Sequence, residues 1–215
     1  MITYNEFQKI TRKPDQSSLK KRSLCFGVGI NDSEYITGIN VNGKRICCPA
    51  YKKWISMLVR SFSDKDKILH PTYIGVTTCS DWLVFSNFRD WVIQWGNFES
   101  LHLDKDIIIP GNKEYHPEKC LLVDKNTNVL FTDRGALRGD LPMGVSIASG
   151  KYQASGSNGK GKTVYLGLYG TPVEAEQAYR EHKYEMIMIA AEKQTDERAK
   201  SALIKRAETF KGLKW

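Results

Sequence analysis

The sequence predicts an α+β protein in two parts, and three observations predict it. Residues 23–133 mix short β-like runs with aromatic-rich stretches at helical spacing. Residues 141–192 read as three alternating strands followed by one long helix. Between them, Arg134 to Asp140 (RGALRGD) is a charged, glycine-containing linker. A change of period across such a linker is where one folded part gives way to the next.

The first 22 residues are polar and end in Lys20-Lys21-Arg22. They are expected to form a basic flexible arm, which either touches phosphate or is simply solvated. Leu24 to Cys48 reads as β structure in three runs, LCFGVGI, YITGINVNG and KRICC, with Asn42-Gly43 as a hairpin turn needing positive φ at two positions. Pro49 suits a first helical residue, whose missing N–H has no partner to lose, and Tyr51, Trp54, Ile55, Leu58 and Val59 then recur at helical spacing. Ser61 to Tyr73 reads as a polar loop. A second helix is expected from Ser80 to Gln94, with Trp82, Leu83, Phe85, Phe88 and Trp91 on its apolar face. These aromatics read as core rather than as ligand-stacking groups.

Leu103 to Val123 (LDKDIIIPGNKEYHPEKCLLV) sets Asp104, Lys105 and Asp106 beside the apolar run Ile107 to Ile109. Burying ionised groups there costs several kcal/mol, roughly, unless they are paired or bind a metal. That makes the segment the best candidate for chemistry. Pro110-Gly111-Asn112 breaks the strand, Pro117-Glu118 suits the first turn of a short helix, and Asp124 to Asp133 reads as a short helix or loop.

Beyond the linker, MGVSI, KYQAS and TVYLGLY are short strands joined by Ala148-Ser149-Gly150 and by the glycine-rich loop Gly156 to Gly161. Thr171 caps the following helix, with Pro172 in its first turn and Glu174 completing a capping box. A last basic helix, about Asp196 to Phe210, falls within residues 193–215. On the second strand Lys151, Gln153 and Ser155 share one face, and Tyr152, Ala154 and Gly156 the other. On the third, Thr163 and Tyr165 alternate with Val164 and Leu166. The apolar face can pack on Ala175, Ala178 and Tyr179. The polar face, with Ser146, Lys160 and Lys162 counted beside it, suits base edges and phosphates. An amphipathic sheet with an ordinary solvated face is the plainer alternative.

Composition narrows the partners. The net charge is +8, and residues beyond 133 carry 14 basic against 9 acidic side chains, so the smaller part is the more basic one. A polyanionic partner is expected, with a generally basic soluble protein as the alternative. Duplex RNA fits poorly, because its narrow major groove hides its base edges. Five cysteines (Cys25, Cys47, Cys48, Cys79, Cys120) without C-x-x-C spacing argue against a disulfide framework and for a reducing compartment. Buried thiols are the expectation, and a zinc site from Cys47, Cys48, Cys79 and Cys120 is the sharper alternative. No apolar run approaches the roughly 18 residues of a membrane span and no signal peptide opens the chain, so a cytoplasmic location without membrane contact is expected.

Two resemblances add to this reading. Gly144-Val145, Lys151-Tyr152 with Ala154, Tyr165-Leu166-Gly167, Tyr169, Thr171-Pro172 with Glu174-Ala175, and Ala178-Tyr179 follow one another at a specific spacing. On them, residues 141–192 resemble the plant Apetala-2-like (ethylene-response-factor type) DNA-binding domain. The resemblance implies a three-stranded antiparallel sheet lying in the major groove of double-stranded DNA, with the helix packed behind it. The strand arginines usual in that family are mostly absent, so its base preferences do not carry over.

The second rests on Tyr51, Trp54, Met57 and Arg60, then PTYIGVTTCSDWLVFSNFRDWV, LDKDIIIPGN, Tyr115, Pro117-Glu118 and Cys120. This run is similar to phage-encoded HNH-family endonucleases, in many of which it precedes an Apetala-2-like module. The resemblance implies a degenerate ββα-metal (HNH-like) element in residues 23–133, divalent-cation-dependent hydrolysis of phosphodiester bonds, and the plan of a free-standing homing endonuclease in the host cytoplasm. The family's D-H-x-D-G-N core places Asp104 as metal ligand, Asp106 as second ligand or orienting acid, and Asn112 as a turn-stabilising or ligand group. Oxygen ligands imply Mg2+, with Mn2+ as alternative. Lys105 stands where the family's general-base histidine would, and a lysine is protonated at neutral pH unless burial lowers its pKa by about 3 units. Its implied role is a phosphate contact, with His116 (or His102) as base. The same lysine fits the rival expectation, a DNA-binding repressor that keeps the scaffold without cleavage, its DKD segment merely ion-paired. The oligomeric state stays open, with a monomer favoured.

Overall fold

The structure, a computed structural model, describes residues 2–131 and 140–211. Most of the expected linker, residues 134–139, therefore lies outside the described residues. The chain is mixed α+β and divides into two compact units, residues 1–105 with 111–120 and residues 106–110 with 121–215.

In the first unit, the segment expected as a flexible arm is helical. α1 (Tyr4–Ile10) opens on a capping box between Thr3 and Glu6, and α2 (Gln16–Lys20) is capped by Asp15. Phe7 is fully buried and meets the Tyr35 ring edge-on, so one aromatic in a polar stretch anchors the terminus. The run 24–30 is not a strand. Phe26 and Gly27 both take positive φ, which folds the run back on itself and leaves only bridges Cys25–Gly29 and Ile30–Val84. The hairpin follows as β1 (Gly38–Val41) and β2 (Lys44–Cys47), turned by Asn42 (φ 48°) and Gly43 (φ 74°).

α3 (Pro49–Phe62) buries Ala50, Trp54, Met57 and Leu58. The expected loop after it holds α4 (Asp64–Leu69), capped by Ser63. β3 (Thr77–Thr78) pairs in parallel with β5 (Glu114–Tyr115), and the helix expected over 80–94 is α5 (Phe85–Val92) flanked by 3-10 turns. Trp82, Phe88, Trp91 and Trp95 pack with ring centroids 4.7–5.4 Å apart, and Trp54 joins Phe85 at 5.5 Å. These are core contacts, the offset and edge geometries that aromatic quadrupoles favour. β4 (His102–Asp104) ends at the acidic segment, and residues 105–110 bend instead of continuing as a strand through Ile107–Ile109. Pro117–Lys119 makes a turn and no helix.

The second unit contains β6 (Leu121–Val123), buried along its length, and α6 (Lys125–Leu130), capped by Asp124. β7 (Val145–Ala148), β8 (Lys151–Ser157) and β9 (Thr163–Tyr169) form an antiparallel sheet in that order. α7 (Pro172–Glu192) starts on the Thr171–Glu174 capping box. Val145, Ala154 and Ala175 make the sheet–helix core, with Tyr152, Leu166, Tyr169 and Ala178 packed around it. α7 is long enough to do two jobs. Its first half covers the sheet. Ile187, Ala190 and Ala191 continue the buried stripe, and α8 (Glu197–Glu208) turns back along α7, burying Ala199, Leu203 and Ala207. Arg180 donates to the Thr209 carbonyl at 2.8 Å, closing this helical hairpin.

Candidate nucleic-acid interface

The sheet has two chemically different faces, and the register defines them. Tyr152 faces Tyr169, Ala154 faces Gly167 and Gly156 faces Val164 on the helix side. Close packing there forbids side-chain growth. A Cβ at Gly156 would come within 2.3 Å of the His182 ring, which bonds the Ser157 carbonyl at 3.0 Å. A Cβ at Gly144, already at φ +78°, would come within 2.0 Å of the Tyr179 ring.

The outer face carries the rows Ser146–Gln153–Leu168, Ser155–Tyr165 and Ser157–Thr163, with Lys151 at one end. A bulge interrupts the β8–β9 ladder at Ala154/Ser155, so Leu166 has no partner across. An extra residue in one strand resets the alternation, which is why both Tyr165 (62 % exposed) and Leu168 (41 %) point outward three positions apart. Alternation read from sequence placed Tyr165 and missed Leu168. Gly167, at φ +141°, was the available signal, since such a residue inside a strand marks a bulge. Among the described residues, no hydrogen bond, ion pair or ring contact engages the side chains of Ser146, Lys151, Gln153, Ser155 or Tyr165. Lys160 and Lys162 project from the β8–β9 loop, whose shape is set by Asn158 Oδ1 accepting both their backbone N–H groups, at 2.8 and 3.1 Å.

The acidic segment is built differently. Lys105 is buried (7 % exposed), and its Nζ donates to the Asn112 carbonyl at 2.7 Å. Asn112 Nδ2 returns bonds to the carbonyls of Lys105 (2.9 Å) and Glu114 (2.7 Å), and its Oδ1 accepts from Glu114 N at 3.1 Å. Lys105 and Asn112 thus close the 105–112 turn on itself. The Lys105 ammonium, expected as a phosphate contact, gives one of its three donors to a backbone carbonyl. The Asn112 amide holds this turn through three of those bonds. Asp104 ends β4 half-buried, and its charge, after burial itself, helps push the Cys120 thiol up to about 12. Asp106 belongs to the second unit, where its charge acts on Arg206 of α8. His116 Nδ1 accepts from Glu118 N at 3.2 Å, a local turn bond, and Lys119 pairs with Glu114 and holds that carboxyl below its usual range.

Among the described residues, no three His, Cys, Asp or Glu side chains are grouped to hold a metal ion. Of the residues singled out from sequence, Lys105 and Asn112 are brought together by hydrogen bonds. All five cysteines are free, Cys48 and Cys120 buried. No described helix is long and apolar enough to cross a membrane. Comparison with protein-family models, with curated proteins and with solved structures returned no match.

Proposed function

We propose that this chain is a double-stranded-DNA-binding protein whose second unit lays the outer face of its three-stranded sheet in the major groove. One observation carries the reading: Lys151, Gln153, Ser155 and Tyr165 stand on one sheet face with their side-chain hydrogen-bonding groups unengaged among the described residues. Buried polar groups would have to be paired, whereas these are left for a partner. Neighbouring strands lie about 4.8 Å apart, so three span roughly 10 Å between their outer backbones. That matches a B-form major groove about 12 Å wide. Gln153 suits bidentate pairing with adenine, Ser155 either base edge, and Lys151, Lys160 and Lys162 phosphates. Tyr165 and Leu168 offer apolar contact to thymine methyls.

The test is binding of the full chain to a labelled random duplex, with unlabelled duplex DNA or duplex RNA as competitor. Competition by DNA and none by RNA is the expected result. Equal competition by RNA, whose major groove cannot admit a sheet, overturns the reading.

Phosphodiester hydrolysis is the second reading, supported by the half-buried carboxylate of Asp104 at the end of β4 and by the resemblance of the LDKD segment. Its test is nicking of supercoiled plasmid with magnesium or with EDTA, for the natural chain and for Asp104→Ala. Cleavage lost in the variant supports hydrolysis. Binding without cleavage in either leaves a DNA-binding regulator.

A further inference from the structure

α3 has a second face that the core does not use. Pro49, Lys52, Lys53, Ser56 and Arg60 follow one another at steps of one, three and four residues and line a cavity of about 620 Å3 in the first unit. Such steps hold residues on one side of a helix. Arg45 of β2 and the stretch Glu99–Leu103 close the cavity.

The charge in it is unbalanced. Among the described residues that line it, Arg45, Lys52, Lys53 and Arg60 stand against one carboxylate, Glu99, which already accepts the Tyr4 N–H at 2.5 Å. Lys53 registers the consequence. Its ammonium donates to the Leu101 carbonyl, yet burial holds its pKa down to about 8, with Glu99 opposing and Arg60 adding to the drop. Arg60 is held in place from its far side by the Tyr115 hydroxyl at 3.4 Å and by the Tyr73 ring, 5.7 Å below its guanidinium. A cluster of like charges assembled by packed elements, one of them partly desolvated, is in its lowest-energy form with an anion among them. Ile46, Leu101 and Leu103 give the cavity apolar walls as well. Its volume falls in the range of small-molecule sites, about 300–1,000 Å3.

We infer that this cavity is a phosphate-ester site sized for one nucleotide, in which Arg45, Lys52, Lys53 and Arg60 hold the phosphate and the apolar walls hold the sugar and base. It lies wholly within the first unit and does not rest on the sheet reading. The phosphate monoester has two sources, a free nucleotide or the 5′-phosphorylated end of a strand.

Calorimetric titration of the full chain distinguishes them. The probes are deoxyadenosine 5′-monophosphate and a 5′-phosphorylated hexathymidylate, each beside its dephosphorylated counterpart. At least one phosphorylated probe is expected to bind saturably at one site, and its counterpart about tenfold more weakly or worse. The probe that binds identifies the source. Lys53→Met should weaken the phosphorylated probe by about tenfold, as should Lys52→Ala at an exposed position whose loss leaves the fold intact by circular dichroism. A Lys151→Ala/Lys162→Ala variant should leave this binding unchanged. The inference is overturned if neither phosphorylated probe binds, or if dephosphorylation makes no difference. It is equally overturned if Lys52→Ala has no effect, or if the Lys151→Ala/Lys162→Ala variant abolishes the binding.

Discussion

The sheet of the second unit and the turn that Lys105 and Asn112 close both bear charged and amide side chains, but they use them differently. At 105–114 the lysine, the asparagine and the backbone exchange four hydrogen bonds within ten residues. On the outer face of β8 and β9 the lysine, glutamine, serine and tyrosine side chains make none among the described residues. The first arrangement bonds largely to itself. The second leaves its side chains to solvent or to a partner. Charge on a strand end is therefore a poor guide to function until its bonds have been traced.

Variants can sharpen this contrast, and the largest effect is expected where the sheet is closed from behind. Gly144→Ala puts a methyl within 2.0 Å of the Tyr179 ring at φ +78°. Overpacking and a left-handed alanine together should cost about 3–5 kcal/mol. Urea unfolding should show the loss, and DNA binding should fall with it, since the outer face exists only while the helix backs the sheet. Next is Asn112→Ala. Removing its amide orphans two carbonyls and one N–H in the turn, for about 2–3 kcal/mol. DNA binding by the folded fraction should be unchanged. A variant that kept full stability but lost binding would reverse the roles assigned to the two regions.

A smaller effect lies in the pH dependence of stability. The Lys53 pKa is lowered in the fold to about 8 from an ordinary 10.5. Between those values the unfolded chain holds the proton and the folded chain does not, so this residue makes stability rise with pH across that interval. Cys120 and Tyr115, both pushed up to about 12 by burial, act in the opposite direction above their ordinary values. The readout is therefore the difference between the natural chain and Lys53→Met. That difference should narrow as the natural chain gains stability from about pH 8 upward.

How far the sequence disclosed all this depended on the range of the forces involved. Local signals were legible. The Thr171–Glu174 box, Pro49, the Asn42-Gly43 turn and the three C-terminal strands each depend on residues a few positions apart, and each appears where expected. Long-range anchoring was not. Phe7 in a polar stretch gives no period, and it packs on Tyr35, 28 positions away in sequence. Leu24–Ile30 is apolar enough for a strand, but it lacks a neighbour to pair with along its length. Lys105 was readable as a displaced base, but not as a donor to a carbonyl seven residues on. Reading α3 by its apolar stripe also left out Lys52 and Lys53, whose spacing with Arg60 on the opposite side was in plain view.

The smallest change in stability should accompany the most telling change in binding. Lys151→Ala with Lys162→Ala removes two cations whose side chains make no hydrogen bond or ion pair among the described residues. Unfolding free energy should stay within about 0.5 kcal/mol of the natural chain. If both lysines contact phosphates, DNA affinity should fall, and the slope of its logarithm against the logarithm of salt concentration should lose about 2 units. An unchanged slope would mean that the sheet does not face the phosphate backbone, and the idle outer face would then be a solvated surface like any other. A large loss of stability would mean instead that these lysines belong with Lys105, as parts of the fold. Only the combination of intact stability and a flattened slope is what a face held in reserve for DNA should give.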